Sequence, residues 1–173
     1  MIKKLRLSII LFSVLFLLAA CISDNTSKSE SDKTVKRNIV LPDDIPKFVK
    51  ESDFKEIDWE KKAVRFNGML GNENKSGVIG ADAPSLNTQK WMWHLWGINN
   101  PTKTNLTVVG YHKESGTAHK ILTEGWTTSL APPNNGADAH TPSNVKIPKP
   151  GEWAMLLYTD ETLFDILVYD IEE

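Results

Sequence analysis

The sequence predicts an all-β domain, a sandwich of about seven to eight short strands that occupies residues 39–173. Three observations support this fold class. Short segments rich in apolar and β-branched residues recur along the chain and are separated by turn residues. No segment keeps the apolar period of about 3.6 residues that is typical of a helix. In the last two segments, 152–158 and 163–171, every second residue belongs to an apolar set that can face inward, as the period of two of a strand requires.

Residues 1–20 have the pattern of a signal peptide. Their apolar run, residues 7–20, follows three basic residues, Lys3, Lys4 and Arg6. The run is too short to favour a membrane span of about 20 residues, but it suits the apolar region of a signal peptide. Leu18-Ala-Ala-Cys21 resembles the lipobox of bacterial lipoproteins. The resemblance implies that residues 1–20 are removed and that a lipid on Cys21 anchors the chain to the extracytoplasmic face of the cell membrane.

The charge balance and the cysteine count exclude several classes of function. The chain has 20 basic and 22 acidic residues, and loss of three basic residues with the signal would change its net charge from −2 to −5. This mildly acidic balance argues against nucleic acid as a partner. Cys21 is the only cysteine, so the domain has no disulfide and no cysteine for metal binding or catalysis. The composition indicates no cofactor.

Two segments connect the signal to the strands. Residues 21–38 are polar, Ser-rich and without periodicity, and they are predicted to form a flexible linker. Residues 39–60 contain two prolines, and a short helix is expected from Asp44 to Ser52. Four apolar residues are expected to pin this segment to the domain: Phe48, Phe54, Ile57 and Trp59.

The remaining chain is predicted to consist of strands and turns. The expected strands are 63–66, 77–80, 90–97, 105–112, 118–123, 152–158 and 163–171. Residues 71–77 are predicted to form a turn, and residues 129–150, which are rich in Pro, Asn and Gly, a long loop. In the closing hairpin, alternation gives each strand one inward-facing set, namely Trp153, Met155 and Leu157, and Phe164, Ile166 and Val168.

Two resemblances refine the fold. The closing hairpin resembles the last two strands of immunoglobulin-like domains, where a Gly and an aromatic residue begin the penultimate strand, here Gly151 and Trp153. The Cys-Trp-Cys hallmark is absent, so the sandwich would be of the disulfide-free bacterial type. Four motifs are similar to those of an uncharacterised family of small lipoproteins from low-GC Gram-positive bacteria: Gly71-Asn-Glu-Asn-Lys75, Lys90-Trp-Met-Trp-His-Leu-Trp-Gly97, Pro133-Asn-Asn-Gly-Ala-Asp-Ala-His-Thr-Pro142 and Pro150-Gly-Glu-Trp153. That resemblance implies a single immunoglobulin-like domain and no particular activity.

Residues 91–96, Trp-Met-Trp-His-Leu-Trp, are the most unusual stretch of the chain. On a strand, the side facing the core would carry Trp91, Trp93 and Leu95. The opposite side would carry Met92, His94 and Trp96. His94 can then be a hydrogen-bonded residue of a strand that is buried on both sides. Alternatively, Trp96 can form a platform on which sugars stack, since an exposed tryptophan is costly unless it is used.

Metal binding is a weaker alternative. Met92 and His94 on one strand face would suit Cu(I), which prefers soft ligands. The sequence contains no His-x-x-x-His or His-Glu-x-x-His spacing. His112 and His119 flank a turn and are expected to be solvated. No metal site is therefore predicted.

Residues 133–140 allow two interpretations. In the structural one, residues 134–136 supply left-handed turn conformations, Asp138 caps backbone N–H groups, and His140 locks the loop to the domain. In the functional one, the loop binds a ligand through Asp138 and His140, because long loops on rigid sandwiches commonly carry recognition. The same two side chains could add a second pair of metal ligands.

Catalysis is poorly supported, because the sequence has no Gly-x-Ser-x-Gly motif and no pair of carboxylates that stands out. The predicted function is therefore non-catalytic binding at the cell envelope, with a protein or peptide as the partner. A lipoprotein that binds a glycan or a metal is the alternative. The candidate ligand-binding residues are Trp96, His94, Asp138 and His140.

Overall fold

The computed structural model describes residues 39–172. The predicted signal peptide, the lipidated Cys21 and the linker over residues 21–38 lie outside the described residues. Ten strands follow one another: β1 Val64–Phe66, β2 Met69–Asn72, β3 Ser76–Ile79, β4 Gln89–Leu95, β5 Asn105–His112, β6 Thr117–Lys120, β7 Thr127–Ser129, β8 Ala139–Val145, β9 Gly151–Thr159 and β10 Thr162–Ile171. Short 3-10 helices lie at Asp53–Glu56 and Pro101–Lys103. No helix within the described part of the chain has the length and apolarity needed to span a membrane.

The strands form two antiparallel sheets that pack against each other. The first sheet has the strand order β1-β2-β3-β4-β8, and the second has the order β10-β9-β5-β6, with β7 also paired to β5. The predicted all-β sandwich is confirmed. Three more strands form than the seven that were expected: β2 and β8 lie in regions predicted as a turn and a loop, and β7 lies mostly in a stretch for which no element was predicted.

The first of these regions is the predicted turn at residues 71–77, where β2 and β3 meet. β2 returns from β1 through Asn67 and Gly68, whose φ angles are 46° and 77°. The second is the predicted loop over residues 129–150, which contains β8, paired with β4 along its whole length. Because β8 is an edge strand, the sheet tolerates Pro142 within it.

The helix expected from Asp44 to Ser52 does not form. This stretch is a succession of turns, and the first helix begins at Asp53 and lasts a single turn. Its amides find partners locally, for example Val49 N, which donates to the Pro46 carbonyl at 3.0 Å. The segment is therefore held by tertiary packing rather than by a helical period.

Apolar side chains from the facing sides of both sheets form the core of the sandwich. As predicted, β4 and β9 each contribute three side chains that are at most 1% exposed: Trp91, Trp93 and Leu95, and Trp153, Met155 and Leu157. The predicted inward faces of these two central strands are confirmed.

The inward face predicted for β10 is wrong beyond Phe164. A β-bulge between Leu163 and Asp165 adds one residue to β10 relative to β9. Phe164 packs against the core between the sheets, whereas Ile166 and Val168 face the opposite side. Since side chains alternate along a strand, one extra residue moves every later side chain to the other face. The β10 residues in the core are instead Leu167, Tyr169 and Ile171.

The outer side of the second sheet is covered by residues 39–60. The four predicted anchors all pack there: Phe48, Phe54, Ile57 and Trp59. The ring of Phe54 lies 4.8 Å from that of Tyr111, and the ring of Phe48 lies 5.6 Å from that of Tyr158, measured between centroids. The second sheet is thus apolar on both sides, with a second core between it and the N-terminal segment.

Candidate functional site

The four residues singled out from the sequence lie together at one end of the first sheet. His94 is close to the end of β4 and Trp96 directly follows that strand, while Asp138 and His140 stand at the start of β8. His94 and His140 are opposite each other in the β4–β8 pair, and their ring centroids are 6.3 Å apart. The structure therefore brings all four into one region.

Residues 131–140 form a hairpin at this end of the sheet. Its turn is Asn135-Gly136, with φ angles of 48° and 80°, and mutual backbone hydrogen bonds join Asn134 and Ala137 on either side. Asn-Gly is favoured in two-residue hairpin turns because both positions require positive φ. The left-handed conformation expected at residues 134–136 is thus found at the last two of them.

Polar groups of three candidate residues hold this hairpin in place. The Trp96 indole Nε1 donates a hydrogen bond to the Gly136 carbonyl at 2.8 Å. The Gly97 N–H donates to Asp138 Oδ2 at 2.6 Å. His140 Nδ1 donates to a carbonyl within the hairpin, also at 2.6 Å. These contacts agree with the structural interpretation of residues 133–140, in which Asp138 caps backbone N–H groups and His140 locks the loop.

His94 is completely buried and has partners for both ring nitrogens. Nδ1 donates to the Met92 carbonyl at 3.2 Å, so Nε2 is the acceptor, and it receives the Asn135 side-chain amide at 3.1 Å. Burial lowers the pKa of His94 because it disfavours the charged ring, and the neighbouring His140 acts in the same direction. The ring is therefore a neutral link between β4 and the hairpin.

The same contacts bear on the Cu(I) alternative. Both nitrogens of His94 already have protein partners, and Met92 meets the ring through its carbonyl. Within residues 39–172, no three His, Cys, Asp or Glu side chains lie close enough together to hold a metal ion.

Among residues 39–172, no segment covers the outer side of the first sheet as residues 39–60 cover that of the second. Cross-strand pairing places one row of residues on this side: Val64, Gly71, Gly77, His94 and His140. A second row pairs Ile79 with Met92. We define the open face as the apolar side chains of these rows and their neighbours, namely Val64, Phe66, Ile79, Met92 and Trp96.

The open face is partly accessible to solvent. Val64 is 56% exposed and Ile79 is 38% exposed. The Phe66 ring lies across Gly77, since a Cβ atom added to Gly77 would come within 2.7 Å of Phe66 Cζ. The centroid of the same ring is 5.9 Å from that of Trp96. Of these residues, the sequence analysis identified only Trp96 as a candidate. The alternation of apolar and polar residues at Val64-Arg65-Phe66 could have indicated that Val64 and Phe66 share one face of a strand.

The two histidines expected to be solvated are not both at the surface. His112 is only 5% exposed, and its Nε2 donates to the Pro150 carbonyl at 2.9 Å. His119 is half-buried, and burial lowers its pKa. Both rings pack against Trp153, with centroid distances of 4.9 and 5.3 Å. The expectation for His112 is therefore wrong, because His112 lies on the inward-facing side of β5, the same side as Leu106 and Val108.

Comparisons with known proteins support the fold. A family model described as "Domain of unknown function (DUF4871)" matches residues 48–169. No curated protein matches the chain. Among solved structures, the chain is similar to one described as "a Putative Lipoprotein from Bacillus anthracis", with 22% sequence identity and a TM-score of 0.57. That similarity covers 73% of this chain and 96% of the other.

Proposed function

The chain belongs to this family of unknown function, and from that premise we propose that it is a lipid-anchored protein of the cell envelope whose domain is a non-catalytic binding module for a protein or peptide. Two observations support the anchoring, the Leu18-Ala-Ala-Cys21 motif and the similarity to the Bacillus anthracis protein. A lipid on Cys21 would attach the chain to the extracytoplasmic face of the cell membrane.

We further propose that the sandwich is immunoglobulin-like. In that fold, strands A, B, E and D form one sheet and strands C, F and G the other. The order β3-β4-β8 corresponds to A-B-E, and the order β10-β9-β5 corresponds to G-F-C. The chain also crosses between the sheets after β4 and after β8, as the immunoglobulin topology requires. On this assignment β1 and β2 are an N-terminal addition to the first sheet.

One observation carries the binding proposal: the two sheets differ in how their outer sides are covered. Residues 39–60 bury the outer side of the second sheet, whereas the open face keeps Val64 and Ile79 accessible. Exposed apolar patches that contain aromatic residues and methionine are typical of interaction surfaces. A partner with a complementary apolar surface would remove the open face from water.

The contacts of the candidate residues support a non-catalytic role. His94 uses both ring nitrogens within the domain, and Asp138 and His140 are occupied in fixing the hairpin. A general base or a nucleophile needs a group that can reach the substrate. On this proposal, the four residues maintain the shape of the open face, and binding depends on the apolar side chains.

The decisive experiment compares capture of envelope proteins by the intact lipoprotein and its variants after chemical crosslinking in native membranes. Val64→Lys should reduce recovery of the specific partner by about tenfold, equivalent to about 1.4 kcal/mol. Val40→Lys is a matched control, because Val40 is 55% exposed but lies beside β6 in the second sheet. Equal recovery by the two variants would contradict the proposal. Binding of protein-free peptidoglycan that Val64→Lys abolishes would favour the glycan alternative instead.

The anchoring has its own test. Cys21→Ala removes the thiol that would carry the lipid, so metabolic labelling with a palmitate analogue should no longer mark the protein. The variant should also accumulate as an unprocessed precursor or be shed. A labelled, shortened Cys21→Ala protein would show that the lipobox interpretation is wrong.

A further inference from the structure

Three adjoining depressions surround the turn between β9 and β10, and none of the five side chains of the open face lines them. Their volumes are about 250, 390 and 450 Å³. Phe164 lines both the first and the second, and Asp160 lines both the second and the third. Because each neighbouring pair shares a lining residue, the three depressions adjoin one another around the turn, and together we call them the turn groove.

Apolar side chains occur along the whole turn groove. From the first depression to the third they are Ile166, Leu163, Phe164, Ile98 and Phe48. Phe164 occupies the extra position created by the β-bulge, and the Lys75 ammonium lies 3.7 Å from the centroid of its ring. An occupant could therefore place apolar side chains at several points along the groove.

The turn itself presents two carboxylates. Asp160 and Glu161 have φ angles of 47° and 65°, a conformation in which Asn-Gly would be the favoured pair. The Thr104 hydroxyl donates to Asp160 Oδ2 at 3.3 Å and orients that carboxylate. Asp160 suits its left-handed position, whereas Glu161 stands where glycine would fit the backbone better.

The charges along the turn groove are unbalanced. Five carboxylates line it: Glu56, Asp58, Asp160, Glu161 and Asp165. Two ammonium groups line it, those of Lys61 and Lys103, and that of Lys75 lies over Phe164, so carboxylates still outnumber ammonium groups by five to three. An occupant that complements both the excess negative charge and the apolar wall must be cationic and partly apolar.

We propose that the turn groove binds an extended cationic segment of another protein. Its lysine or arginine side chains would lie against the carboxylates, and its intervening apolar side chains would pack on Phe164 and the neighbouring apolar residues. This goes beyond the function proposed above, because it is a second binding surface that does not require the open face.

The test measures the affinity of the full chain, in detergent micelles, for a fluorescent peptide of alternating lysine and valine by fluorescence anisotropy. Asp160→Asn and Glu161→Gln should each weaken binding about two- to fivefold, as expected for exposed ion pairs. Asn tolerates the left-handed conformation well, so Asp160→Asn should not harm the turn. Lys103→Glu should strengthen binding. Glu51→Gln, an exposed change outside the groove, is the matched control and should have no effect.

Three results would overturn the proposal. The first is equal binding of the peptide's glutamate–valine counterpart. The second is that the affinity for the peptide stays the same in all three groove variants, Asp160→Asn, Glu161→Gln and Lys103→Glu, or that the control Glu51→Gln changes it as much as they do. The third is full competition by spermidine at comparable concentration, which would mean that the groove responds to charge alone. Val64→Lys should leave peptide binding unchanged, which separates this surface from the open face.

Discussion

Replacing Trp153 by alanine should be among the most damaging single changes in the domain. Trp153 is completely buried near the start of β9, its indole Nε1 donates to the Lys149 carbonyl at 3.0 Å, and the rings of His112 and His119 pack against it. Removing about 200 Å² of buried side chain at about 25 cal/mol per Å² corresponds to about 5 kcal/mol. Measured losses for buried aromatic residues of about 3–5 kcal/mol agree with this.

The assay is urea denaturation of the full chain followed by far-UV circular dichroism. With a slope of about 2 kcal/mol per molar urea, Trp153→Ala should lower the midpoint by roughly 2 M or leave the chain unfolded without denaturant. Thr162→Ala is the control, because Thr162 is exposed at the turn and its loss should cost at most about 0.5 kcal/mol. Similar midpoints for the two variants would refute the assignment of inward and outward faces in the closing hairpin.

Two further predictions concern buried polar groups. Because the pKa of His94 is lower in the folded chain than in the unfolded one, the unfolded state binds more protons, and stability should fall as the pH drops below about 6.5. His94→Gln should be less stable at neutral pH but should lose part of this pH dependence in thermal melts, and an unchanged dependence would argue against a buried neutral ring. Asp165→Ala should cost about 1–3 kcal/mol, since Asp165 accepts hydrogen bonds from the buried side chains of Asn72 and Ser76. If Asp165→Ala lowers the free energy of unfolding no more than Asp43→Ala, which removes an exposed carboxylate, this prediction is wrong.

The best-predicted strands are those in which inward- and outward-facing residues alternate without interruption. The predicted range of β5 matches the observed one, and the inward sides of β4 and β9 were assigned correctly because Trp91 and Trp153 fall into a strict period of two. The β1–β2 hairpin could have been predicted as well, since Asn67-Gly68 is a strong signal for a two-residue turn. These features depend on local pattern alone.

Other features depend on contacts that no local pattern shows. Beyond the bulge, β10 has apolar residues on both faces, so nothing in the sequence marks the change of face. β8 contains Pro142, which argues against a strand unless its position at the edge of the sheet is known. In the candidate site, the role of Asp138 could be anticipated from its chemistry. The bond from Asn135 to His94 could not, because it joins residues that are distant in sequence.

The path of residues 39–60 gives the two sheets different outer sides. The described chain begins beside β6, where Val40 N donates to the Gly116 carbonyl and the Ala118 N–H donates to the Val40 carbonyl, each at 2.9 Å. From there, residues 39–60 run over the outer side of the second sheet and bury it. The open face is on the outer side of the other sheet, so the described chain reaches it only with β1. Of the two outer sides, the described chain therefore buries one with its own N-terminal segment and leaves side chains such as Val64 exposed on the other.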